Sequence, residues 1–143
     1  MTKALMAIIA TVGAVIAYLK IRKFSPGVSR HRFKIHIQHD NRKNVYFSKT
    51  TPHRRVVRPG DHVLWKIDQE KKLPVGSVIK LRFPDGSCLV DESPDDKGQG
   101  SEIESFVQDR PKKKVYSYTV SYIDSGNVEH LLEDPELIIE GNI

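Results

Sequence analysis

The chain has a single cysteine, Cys88, in 143 residues. An intramolecular disulfide is therefore excluded, and nothing in the cysteine usage marks an oxidising compartment. Asp85-Gly86-Ser87-Cys88 reads as a hairpin turn leading into a strand, with no catalytic signature around it, so the thiol is read as a structural group and not as a nucleophile. The only two methionines, Met1 and Met6, lie at the extreme N-terminus. Also missing are a nucleophile elbow, a glycine-rich phosphate cradle and a zinc-protease helix. No heptad, collagen-like or internal repeat is present. These absences leave no enzyme class with a recognisable starting point, and the chain is read as a non-enzyme without a cofactor.

What is present divides by position. Residues 1–23 hold Ala4 to Leu19, an uncharged apolar run bounded by Lys3 before it and by Lys20, Arg22 and Lys23 after it. It shows no polar face, unlike a surface helix of a globular domain. At 1.5 Å per residue it is a little short for the hydrocarbon core of a bilayer, and Tyr18, Ile21 and snorkelling lysines extend it. We read it as an N-terminal transmembrane helix. The competing reading, a cleaved secretory signal, fits less well because the run ends in Tyr-Leu-Lys and only Val15-Ile16-Ala17 approaches a cleavage pattern. The excess of Lys and Arg after the segment places the rest of the chain on the cytoplasmic side.

The formal net charge is +5, but residues 1–90 carry 18 Lys/Arg against 5 Asp/Glu and residues 91–143 carry 5 against 13. The two halves of a sandwich interleave in space, so this split is expected to cancel in part. The runs Arg54-Arg55 with Arg58, Lys71-Lys72 and Lys112-Lys113-Lys114 lack the interleaved aromatics of an RNA-binding sheet, which argues against nucleic acid as a partner. Lysines at 112–114 stand just before a strand, where they discourage edge pairing.

Residues 24–31, with Pro26 and Gly27, read as a linker, and residues 32–143 as one domain of common size. From Arg32 on, the pattern is period two with no sustained helical period. In Arg32–Gln38 the inward set is Phe33, Ile35 and Ile37; in His62–Ile67 it is Val63, Trp65 and Ile67. Further strands are predicted over 45–47, 55–57, 78–83, 88–90, 105–107, 115–123, 128–132 and 137–140, with one short helix near 102–106. Turns are expected at Arg58-Pro59-Gly60-Asp61, Phe83-Pro84-Asp85-Gly86 and Ile123-Asp124-Ser125-Gly126-Asn127. Ser93 to Gly100 reads as a polar loop. Strands at this spacing argue for an all-β Greek-key β-sandwich of two packed antiparallel sheets.

Val56-Val57-Arg58-Pro59-Gly60-Asp61-His62-Val63-Leu64-Trp65 resembles the cupredoxin motif in which a Gly-Asp turn starts a strand carrying a buried aromatic. Tyr116-Ser117-Tyr118-Thr119-Val120 is similar to the penultimate strand of that family, and Leu137-Ile138-Ile139-Glu140 to its closing strand. The motifs are generic, and immunoglobulin-like sandwiches share them. The resemblance implies a blue-copper-type framework and an extracytoplasmic setting, opposite to the side that the flanking charges favour. It also implies where ligands would stand: a His after the Trp-bearing strand, then Cys, His and Met after the Tyr-bearing strand. Asp68 to Pro74 contains no His, Val120 stands about where the Cys would be, and His130 lies farther along than the family loop would place it. A redox copper site is therefore not expected.

Six histidines keep a metal alternative open. His36 and His39 are three apart and point to opposite faces of one strand. A copper or zinc site assembled across strands from His36 and His62 is the weak alternative. The cluster Asp91, Glu92, Asp95 and Asp96 does not match a calcium-loop spacing and reads as a flexible acidic loop. The expected function is a membrane-anchored, cupredoxin-like interaction or assembly module. It would touch the bilayer through its N-terminal helix and a membrane or membrane-proximal protein through its domain. The alternatives are a copper- or zinc-handling protein and a structural accessory subunit of a membrane complex.

Overall fold

The computed structural model describes residues 29–140, which are all-β, with ten strands and no helix among them. The expected transmembrane helix, with Ala4, Leu19, Lys20, Arg22 and Lys23, lies outside the described residues. The strands are β1 (Arg30–Asp40), β2 (Val45–Thr51), β3 (Arg54–Val57), β4 (His62–Gln69), β5 (Val78–Arg82), β6 (Glu102–Phe106), β7 (Val115–Ser117), β8 (Thr119–Ile123), β9 (Glu129–Glu133) and β10 (Glu136–Ile139). They form three sheets, in the orders β2-β1-β4-β6, β3-β10-β7 and β5-β8-β9.

Alternation dictates the packing. Phe33, Ile35, Ile37, Val63, Trp65 and Ile67 all turn inward and are at most 8% exposed, while Arg32, Lys34 and Lys66 on the same strands face solvent. Against them pack Ile79, Leu81, Val120, Leu137 and Ile139 from the other two sheets, so one apolar core lies between the layers of a sandwich-like body. Phe33 stacks on Trp65 at 4.9 Å, Tyr118 meets Trp65 edge-on at 5.8 Å, and Phe83 stacks on Tyr118 at 5.3 Å. Such pairs add to the area they bury.

Several elements differ from the sequence expectation. The sheets are not purely antiparallel: β1 runs parallel to β4, and β3 parallel to β10. Sequence alternation carries no information about strand direction. Glu102–Phe106 is strand β6, not a helix, because it pairs antiparallel with β4 from Lys66↔Glu102 to His62↔Phe106. Cys88–Val90 is a loop with one isolated bridge, Leu89↔Val107. β1 begins at Arg30, inside the segment read as linker, because Arg30 pairs with His62 and the Ser29 amide donates to Asp61 Oδ1.

The run Val115–Ile123 is divided at Tyr118, whose amide donates to the Pro135 carbonyl, so that β7 belongs to one sheet and β8 to another. Glu129–Ile139 is divided likewise at Asp134-Pro135, and β2 passes to β3 through Pro52-His53. Strands that switch sheets at such bends make the corners of the body.

The three expected turns all form. Asp61 N donates to the Arg58 carbonyl at 3.0 Å with Gly60 at φ 84°, a type II turn that needs glycine at its third residue. Gly86 N donates to the Phe83 carbonyl and Asn127 N to that of Asp124.

Candidate functional site

The two ends of the sandwich carry different chemistry. At the end where β1 begins, Asp61 is 1% exposed and accepts the amides of Ser29 and Arg58 and the His31 ring at 2.6 Å. That buried carboxylate ties the Pro-Gly turn to the first strand. His62 is 6% exposed and meets Glu104, so it is not an outward histidine.

His36 stands near the other end of β1, with its ring nitrogens 3.1 Å from Asp68 Oδ2 and 2.8 Å from Glu70 Oε2. Lys34 also reaches Asp68, at 3.2 Å. The Lys34 ammonium, with help from His36, holds the Asp68 carboxyl below its ordinary range; the Gln38 amide and His36 do the same for Glu70. His36 pairs in register with Asp68 and His62 with Arg30 on the parallel strands β1 and β4. The two histidines are thus six residues apart along the sheet, about 20 Å. The structure does not bring them together. Among the described residues no group of three or more His, Cys, Asp or Glu is placed to hold a metal ion.

Val120, about where the resemblance would put a copper-ligating Cys, and His130, farther along, have other tasks. Val120 is fully buried in β8, opposite Leu81. His130 donates to Asp124 Oδ2 at 2.8 Å and stacks on Tyr122 at 4.6 Å; Tyr122 meets Tyr46 edge-on, and Tyr46 meets His39. The His130 contact and the backbone amides of Val128 and Gly126 hold the Asp124 carboxyl below its ordinary range. Cys88 is buried, and desolvation pushes its thiol up to about 12, which removes it as a nucleophile.

The acidic cluster is dispersed among separate structural roles. Asp91 accepts the Ser105 hydroxyl, Asp95 the Lys97 amide, and Asp96 the amides of Ile79 and Gly98. Asp96 is 2% exposed, and burial raises its carboxyl above the ordinary range against the pull of those amides. This carboxylate fastens the loop expected to be flexible to the edge of β5.

Two surface features were not singled out from sequence. A shallow groove of about 640 Å³ crosses the outer face of the first sheet, lined by Arg32, Lys34, Leu64, Lys66, Asp68 and Glu102 among others. On the outer face of β3-β10-β7, Ile138 registers with Val56 on one side and Val115 on the other, giving an apolar row across three strands. Val56 is 45% and Val115 44% exposed. Ion pairs Arg54–Glu136 at 3.2 Å and Arg58–Glu140 at 3.4 Å lie above and below it. A signal for the row existed: Val56-Val57 and Leu137-Ile138-Ile139 are apolar on both faces of their strands, the pattern of strands covered on both sides.

No protein-family model matches this chain, and no curated protein matches it.

Proposed function

We propose that the chain is a membrane-anchored interaction or assembly module, built on a cupredoxin-like sandwich without a redox copper. The observation that carries this reading is the row Val56–Ile138–Val115, an apolar strip exposed at its two valines and half-buried at Ile138, flanked by the pairs Arg54–Glu136 and Arg58–Glu140. An apolar centre with a charged rim is the anatomy of a protein contact. Further support comes from Val120, a core residue about where the resemblance would place the copper-ligating Cys, and from His130 farther along, which is engaged with Asp124. The apolar run Ala4–Leu19 supports the anchor, which would raise the local concentration of the module at the bilayer and shorten the search for a membrane-bound partner.

The test is detergent extraction of the full chain from membranes, followed by metal analysis and native mass spectrometry. The expected outcome is extraction by detergent alone, no stoichiometric copper or zinc, and a complex of defined mass that Val56→Asp disperses. One tightly bound metal ion per chain would overturn the reading in favour of metal handling. A complex indifferent to Val56→Asp would point to a structural subunit that uses another face.

A further inference from the structure

Four loops meet at the end of the sandwich where β1 stops: 41–44, 70–77, 97–101 and 124–128. The parallel pairing of β1 with β4 and the antiparallel pairing of β4 with β6 bring the first three together, and a Cβ at Gly76 would lie 3.3 Å from Ser125 of the fourth. On these loops stand Arg42, Lys43, Lys71, Lys72 and Lys97, all exposed, and none forms an ion pair among the described residues. The carboxylates nearby are turned onto partners of their own. Asp40 accepts the Arg42 and Lys43 amides, Glu70 meets His36 and Gln38 and also feels the neighbouring Lys71 charge, Asp95 accepts the Lys97 amide, and Asp124 accepts the Gly126 and Val128 amides and meets His130.

The same loops, and the first residue of β2 beside them, project apolar side chains. Val75 is 95% exposed, Val128 54% and Val45 48%. Val75 sits at the apex of a tight turn, Pro74-Val75-Gly76-Ser77, closed by Ser77 N to the Pro74 carbonyl at 3.1 Å with Gly76 at φ 85°. The base of the loop is fixed, since Leu73 is buried and its amide donates to Gln69 Oε1. The valine is therefore held outward between anchored ends, and little conformational entropy remains to be lost when it enters another phase.

We propose that this loop end docks on an anionic lipid surface, with Val75 entering the headgroup boundary and the five cations facing lipid phosphates. Lysine is depleted and aromatic residues are enriched at protein contacts, and this end shows the opposite among its most exposed residues. Valines also lack the flat π-faces that stack on bases. A lipid surface, by contrast, takes cations scattered over several loops without demanding a register. The docking end lies about 35 Å along β1 from Arg30, where the chain enters the sheet. In the proposal the N-terminal anchor sits in one bilayer and the loop end engages a second one, facing the first. This inference does not rest on the Val56–Ile138–Val115 row.

The test reconstitutes the full chain in neutral phosphatidylcholine vesicles and offers dye-labelled vesicles, either phosphatidylcholine or rich in phosphatidylglycerol, in a density flotation. The expected result is capture of the phosphatidylglycerol vesicles alone. Each cation near an anionic leaflet is worth roughly fivefold in partitioning, so the double variant Lys71→Glu/Lys72→Glu should lower capture by roughly 20-fold or more. Val75→Asp should lower it several-fold, and Arg110→Glu, away from these loops, should leave it unchanged. Unaltered Trp65 emission reports that each variant is folded. If the chain fails to float with neutral vesicles, the anchor reading fails, and its own flotation with phosphatidylglycerol vesicles then tests the loop end directly. Equal capture of both lipids, full capture by the Lys71/Lys72 variant, or equal loss with Arg110→Glu would overturn the proposal.

Discussion

Trp65 is the one tryptophan of the chain, it is fully buried, and its Nε1 donates to the Tyr118 hydroxyl at 3.1 Å. Burial pushes the Tyr118 phenol well above its ordinary range, so it is the neutral hydroxyl that accepts the indole N–H. Tyr118→Phe keeps the ring that stacks on Phe83 and removes only that acceptor, leaving an indole N–H unsatisfied in the core. The expected cost is about 1–3 kcal/mol, read as a lower urea midpoint at unchanged m-value. Adding Trp65→Phe should cost less than the two single changes summed, because the second change removes the orphaned donor. At this scale the sequence was informative wherever a residue's role follows from strand parity, as for Phe33, Ile35 and Trp65. It was silent on Asp61, Asp96 and Glu133, whose carboxylates act on amides and hydroxyls far away in the chain. Glu133 accepts from Ser48, Thr50 N and Thr50 Oγ1 and so joins β9 to β2, two strands of different sheets.

Elements were legible to different degrees for physical reasons. β1, β4 and β5 have one buried face, and alternation gives such strands away. The loop 88–96 was opaque because its apolar residues Cys88 and Leu89 are buried by position, not by period. There the chain covers two edges: Val90 N donates to the Phe106 carbonyl beside β6, and Leu81 N donates to the Pro94 carbonyl beside β5. The candidate row Val56–Ile138–Val115 was half legible, since its strands β3 and β10 are apolar on both faces, whereas the loop end was least legible of all, since loop tips with Lys and Val read as ordinary solvent-facing sequence until the topology gathers them. The third sheet offers a pH test. Glu129 on β9 takes both carboxylate oxygens to Arg82 Nε at 2.8 Å on β5, across β8, and also accepts the Ser121 hydroxyl. Arg82, ahead of the Ser121 hydroxyl, holds the Glu129 carboxyl below its ordinary value of 4.5. A carboxyl lowered in the folded state gives stability that is present above pH 4.5 and is lost as pH falls through the folded value. Glu129→Gln should therefore show a shallower fall in urea midpoint than the parent on going from pH 5 to acid, with the difference between the two proteins largest at neutral pH.

At the scale of the whole molecule, the basic first part and the acidic second part of the sequence meet across strands. Glu136 registers with Arg54 and Glu102 with Lys66, and Glu129 binds Arg82. What is cancelled least is the loop end, where Arg42, Lys43, Lys72 and Lys97 form no ion pair among the described residues and Lys71 acts on Glu70 without closing a pair. Cys88, fully buried beneath those layers, reports on the body as a unit. A thiol reagent should label it no faster than global unfolding allows, with a rate that rises with urea along the full m-value; labelling in native buffer at the speed of an exposed thiol would show that the 88–96 loop opens by itself. The central strand β1 finally has a mechanical meaning. It is held by seven register pairs to β2 on one side and eight to β4 on the other. Tension applied at Arg30 along the strand loads both ladders together in shear, so their bonds must give way in concert and not one after another. A body bearing on something at its far end while being pulled from its near end would carry that load through its strongest seam.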